Sequence, residues 1–76
     1  MSTRLSDLAV GRSGRVVSVS GVDAASCRIL EMGVTPGAEV RVLGTAPFGD
    51  PIEVEIRSYR LSLRKSEAAL IEIEPS

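Results

Sequence analysis

The stretch RILEMGVTPGAEV, residues 28–40, decides the fold: two glycines and a proline interrupt a regular apolar pattern where a helix must become a strand. Over residues 24–32, AASCRILEM, a turn of ~100° per residue puts Ala25, Ser26, Ile29, Leu30 and Met32 on one side and Ala24, Cys27, Arg28 and Glu31 on the other. The first set is expected inside and the second in solvent. Asp23 stands where its carboxylate caps the first turn. Gly33 supplies the left-handed residue past the helix, with Val34 folding back towards Ile29. TPGA then reads as a type II turn in which Pro36 fixes φ and Gly37 takes the positive value. Beyond it EVRVL alternates, with Val40 and Val42 on one face of a second strand.

Upstream of the helix, LSDLAVGRSG reads as a tight turn: Ser6 caps a short stretch over residues 5–9, and Gly11 and Gly14 break the chain before a first strand at 15–20. Residues 1–4 and 75–76 read as tails. Downstream, a loop GTAPFGDP leads into IEVEIRSYRLSLR, the clearest alternation in the chain. A two-residue turn at Ser58 and Tyr59 would set Ile56 opposite Leu61 and Val54 opposite Leu63, with Glu53 to Arg64 on the outer side. KSEAA makes one helical turn, and LIEIE a last strand with Ile71 and Ile73 inward. The expectation is one domain over residues 1–76, mainly β: a small five-stranded barrel, closed or nearly so, with one short α-helix between strands 1 and 2.

Composition narrows the function. A 76-residue chain hides only about 60% of its unfolded surface, so the core is small. No apolar run approaches the roughly 20 residues that cross a bilayer, and no secretory signal pattern opens the chain, so a cytoplasmic location without membrane insertion is expected. The single thiol, Cys27, cannot cross-link its own chain. Nine Lys and Arg against ten Asp and Glu leave a net charge of −1, which disfavours nucleic acid. His, Asn, Gln and Trp are absent, which removes the commonest general base and the amide readers of adenine.

Three blocks in series, RILEMGVTPGAEVRV, APFGDPIEVEI and YRLSLRKSEAALIEIE, closely resemble the FeoA family, the small cytoplasmic component of bacterial ferrous iron uptake, over residues 5–74. The motif positions are Arg28, Leu30, Glu31, Gly33, Pro36, Gly37, Pro47, Gly49, Asp50, Pro51, Leu61, Leu63, Arg64, Glu67 and Ala68. The resemblance implies an SH3-like barrel that binds and modulates the FeoB-type membrane transporter through its cytoplasmic GTP-hydrolysing region, with no cofactor, no resident metal and no catalysis of its own. One departure is Ser58, where the family's hairpin turn usually carries glycine; in a type II′ turn it would cost on the order of 1 kcal/mol.

The contact surface expected on this basis joins the outer helix face (Ala24, Arg28, Glu31), the corner (Gly33, Pro36, Gly37) and the loop (Pro47, Phe48, Gly49, Asp50). Each part has a plainer reading. Arg28 could pair with its neighbours on a solvated helix face, and Phe48, the only Phe, could plug the barrel mouth instead of meeting a partner. Cys27 and Glu31, one helical turn apart, fall short of the three or four ligands that iron or zinc takes. Glu53 and Glu55 share a solvated face without an acid–base partner, and GRSG precedes a strand and not a helix, unlike a phosphate loop. Arg60, Arg64 and Lys65 form a basic strip that either complements an acidic partner or balances Glu53 and its neighbours. The rivals are the C-terminal interaction domain of a metal-dependent repressor, a small RNA-binding barrel and, weakest, an enzyme; self-association through an edge strand stays open.

Overall fold

In the computed structural model, which describes residues 2–21 and 24–75, the corner at residues 33–38 is built as its chemistry demands. The helix α1, Ala24–Glu31, ends in a Schellman motif. The Gly33 N–H donates to the Leu30 carbonyl (3.1 Å) and the Val34 N–H to that of Ile29 (3.3 Å), with Gly33 at φ 98°. Val34 and Ile29 are both fully buried, so the reversal of the chain is also a core contact. At the following turn the Ala38 N–H donates to the Thr35 carbonyl (3.0 Å), with Gly37 at φ 93°.

Six antiparallel strands surround this unit: β1 (Thr3–Arg4), β2 (Ser13–Val19), β3 (Glu39–Thr45), β4 (Ile52–Ile56), β5 (Tyr59–Leu63) and β6 (Ile71–Pro75), in the spatial order β1-β6-β2-β3-β4-β5. A 3-10 turn, Leu5–Asp7, follows β1, and a second helix, α2 (Lys65–Ala68), precedes β6. Alternation puts Val16, Val40, Val42, Val54, Ile56, Leu63, Ile71 and Ile73 into one core, each at most 1% exposed, sealed by Leu5, Ile29, Val34 and Ala68. Several outward residues of opposite charge stand opposite one another in the register: Arg15 lies between Glu39 and Glu74, Arg41 opposite Glu55, and Glu55 opposite Arg60. Glu53 has no such counterpart, since it faces Gly44 and Ser62.

Several expectations are corrected. The chain start is not a tail: Thr3 pairs with Ile73 and Arg4 with Glu72, a two-residue strand too short to show alternation, held in place by the buried Leu5. Ser6 is no cap, since it lies inside the 3-10 turn, which has no side-chain cap. Gly14 belongs to β2 and does not break it; a Cβ there would lie 2.7 Å from the Glu74 carbonyl oxygen, so the glycine lets β6 approach. Leu30 is 39% exposed, because α1 buries the narrow stripe of Ser26 and Ile29, with Met32 beyond its end half-buried. Asp23 and the side chain of Ala25 lie outside the described residues.

The hairpin is also one residue out of place. Its turn is Arg57 and Ser58, at φ 49° and 74°, so both central residues are left-handed as in a type I′ turn, and the pairs are Ile56 with Tyr59, Val54 with Leu61 and Ile52 with Leu63. Moving the turn by one residue slides the partners by two, so every side chain keeps its face. Contacts outside the hairpin favour this register. The Tyr59 hydroxyl donates to the Met32 carbonyl, and Arg57 donates to the Gly33 carbonyl (3.2 Å) and the Thr35 hydroxyl (2.9 Å).

Candidate interaction surface

The buried carboxylate of Glu67 organises one side of the molecule. On α2 its Oε1 accepts the Arg64 backbone N–H (2.8 Å), and its Oε2 accepts Nη2 of Arg28 (2.5 Å), which reaches across from the outer face of α1. The Arg64 N–H, and then Arg28, hold this carboxyl below the usual glutamate range, against the opposing effect of burial. Glu67 therefore stays ionised and is fastened between two helices. Arg28 has a plainer role than partner contact alone, yet its side chain remains 65% exposed.

Next to α2 stands the loop that follows β3. The Gly49 N–H donates to the Ala46 carbonyl (2.7 Å) and the Ala46 N–H to that of Pro51 (3.0 Å), closing a tight turn with Gly49 at φ 81°. Asp50 then accepts the backbone N–H of Lys65, the first residue of α2, through Oδ1 (3.0 Å). Pro47 and Phe48 sit on the turn, and Phe48 is 97% exposed. The plug reading of Phe48 is overturned: the hydrogen bonds of its own loop and the tie to α2 point the tip away from the core.

The corner residues are placed differently. Gly37 donates to the Val16 carbonyl (2.8 Å) and Val16 to that of Ala38 (2.8 Å), so the turn at Pro36 and Gly37 joins β2 while both residues stay exposed. Gly33 lies under the Tyr59 hydroxyl, against which a Cβ would collide. Ala24, Cys27, Arg28 and Glu31 are all exposed on α1. Three groups expected in one surface thus divide: Arg28 and the Phe48 loop flank α2, whereas the corner is clasped by the hairpin tip. Sequence reasoning missed the clasp of Arg57 and Tyr59, and it kept Arg28 and Glu67 as motif positions without joining them across 39 residues.

The basic strip is split as well. Arg60 lies opposite Glu55 on the sheet, while Arg64 and Lys65 belong to the α2 side. Among the described residues no group of three His, Cys, Asp or Glu gathers where a metal ion could be held, and no helix is long and apolar enough to cross a membrane.

The FeoA domain model matches residues 3–75. The chain belongs to the FeoA family. A relative from Porphyromonas gingivalis, a fusion of Fe(2+) transport protein A with the Fe(2+) transporter FeoB, is 42% identical over 71 residues, which are 93% of this chain but only 8% of that protein. The zinc-complexed FeoA of Stenotrophomonas maltophilia, a prokaryotic SH3 domain protein, superposes with a TM-score of 0.84 at 34% identity, over 95% of this chain and 89% of that one. A manganese-dependent transcriptional repressor, at 22% identity over 99% of this chain and 37% of its own, has a TM-score of 0.90 and shares the fold alone. Membership of the FeoA family, whose named members here include proteins of ferrous iron transport, agrees with an SH3-like barrel.

Proposed function

We propose that this chain is a cytoplasmic, non-catalytic accessory protein of ferrous iron uptake that docks on the GTP-hydrolysing region of a FeoB-type transporter and biases its nucleotide cycle. The observation that carries the proposal is the P. gingivalis relative, in which a FeoA part and a FeoB part share one polypeptide. A fusion holds two domains at high effective concentration, an arrangement that favours partners whose separate encounter is weak. The bias would arise by linkage, the domain stabilising the transporter state for which it has the higher affinity.

The side-chain chemistry supports a binding role. The most buried acid, Glu67, is neutralised by Arg28 and held ionised, the opposite of a carboxyl prepared as a general acid. Among the described residues the most exposed large apolar side chain, Phe48, stands on a tied-down loop, as an interface anchor does. Titration of the purified chain into the isolated GTP-hydrolysing region, with GTP turnover followed alongside, tests the proposal. Saturable binding with a change in turnover is the expected result. Absence of binding to both that region and the full-length transporter would overturn it.

A further inference from the structure

The fold brings together what the sequence keeps apart on the α2 side. Asp50 ties the Phe48 loop to the start of α2, where the exposed Arg64 and Lys65 stand, and Glu67 draws Arg28 to the other side of the same helix. Between α1 and α2 lies a shallow depression lined by Ala24, Arg28, Arg64, Ser66 and Glu67. Two acids are present: Glu67 is buried beneath Arg28, while Asp50 is exposed and gives one oxygen to the Lys65 N–H. Among the described residues neither the Arg64 guanidinium nor the Lys65 ammonium lies within ion-pair distance of a carboxylate, although the charge of Arg64 helps to hold Glu67 ionised. Three cations, Arg28, Arg64 and Lys65, thus outnumber the one exposed carboxylate, Asp50, on this side of a chain whose net charge is −1, whereas on the sheet Arg60 stands opposite Glu55.

We infer that this face, with Phe48 as the apolar anchor and Arg28, Arg64 and Lys65 as the cations, is a docking site for an acidic segment of a partner protein that also carries an apolar pocket or side chain. The inference rests on the docking reading above and deepens it by giving the partner's chemistry. Charge complementarity selects the occupant: an arginine with unused donors takes a carboxylate in a fork, and a solitary ring gains most when a protein pocket encloses it. An anionic lipid surface would use the same cations, but one ring and three charges give a lipid surface little to hold, and Glu31 lies one turn further along the same helix face.

The test separates this site from the identity of the partner. A synthetic peptide alternating Glu and Leu, with a Gln-for-Glu control, is titrated into the full chain while backbone amide resonances are followed. Shifts should centre on residues 47–50 and 64–67, about 10-fold weaker affinity should accompany Phe48→Ala, and about 5-fold weaker affinity Arg64→Glu, with the second effect fading at high salt. Arg60→Glu makes the same charge change on the sheet face, opposite Glu55 and away from α2, and should alter affinity less than about 2-fold. Shifts centred elsewhere, no binding, equal loss in Arg60→Glu and Arg64→Glu, or equal binding of the Gln peptide would overturn the inference. So would binding to phosphatidylglycerol vesicles with the same variant pattern and no response to the peptide. Applying the same variants to the transporter's GTP-hydrolysing region distinguishes the two failures. Binding there that ignores Phe48 and Arg64 sinks the site and leaves the docking reading, whereas peptide binding without transporter binding does the reverse.

Discussion

Two turns of this molecule are made from nearly the same residues and put to opposite uses. TPGA, residues 35–38, and PFGD, residues 47–50, each combine a proline with a glycine at positive φ. The first is absorbed into the fold: its backbone bonds to β2, Ala38 is buried, and the hairpin tip clasps the chain just before it. The second is tied at one end by Asp50 and holds a bare aromatic ring in solvent. What separates them is the residue between the punctuation marks and the side chains that arrive from elsewhere. A turn that must bury its surroundings recruits partners; the turn that leaves its ring in solvent is only braced.

The sharpest way to break this contrast is at the glycines. Gly33→Ala should lose about 3 kcal/mol, combining a left-handed alanine with displacement of the Tyr59 hydroxyl from the Met32 carbonyl. Gly49→Ala, with positive φ but open space around its Cβ, should lose only about 1 kcal/mol. Urea unfolding of both variants checks the ratio, and equal losses would mean that the clasp contributes nothing. Repeating Gly33→Ala in a Tyr59→Phe background should shrink its cost.

The next effect concerns the brace beside the exposed loop. Glu67→Gln should lose about 1–2 kcal/mol at neutral pH, since charge-assisted bonds to Arg28 and the Arg64 N–H become neutral ones. The folded carboxyl is held below its ordinary value of 4.5, so its contribution is complete above that pH and disappears as pH falls through the lowered folded value. Thermal melts of the two proteins should accordingly converge in acid, and a constant gap from pH 7 downward would contradict the brace. A smaller gain is expected at the hairpin, where Ser58→Gly removes a left-handed serine and should add about 0.5–1 kcal/mol in the same urea assay. Phe48→Ala comes last: at 97% exposure its effect on stability should stay within about 0.5 kcal/mol, and a larger loss would mean that the ring packs after all.

The same contrast explains what could be read in advance. The corner was legible because glycine and proline act locally: the Schellman bonds, the type II turn and the contact of Val34 with Ile29 follow from residues 29–38 alone. The inward faces of the strands followed from alternation, which survives even the misplaced turn. The turn itself was not legible, because neither Arg57 nor Ser58 announces positive φ; their conformation is supported by hydrogen bonds to residues 32–35. Strand β1 lacks enough residues to show a period, and the partnership of Arg28 with Glu67 depends on how α1 and α2 come to lie together. Of the expected surface, the exposure of Phe48, Arg28 and Glu31 was anticipated as one of two alternatives or directly, while its division into a clasped corner and a basic α2 side came only with the tertiary structure.

The clasp at the hairpin tip has a practical consequence. The chain contains one Tyr and no Trp, so its ultraviolet emission comes almost wholly from Tyr59, whose hydroxyl is given to the main chain at the end of α1. The protein thus carries a native optical gauge at the seam between helix and hairpin, and opening of that seam can be watched without attaching any dye.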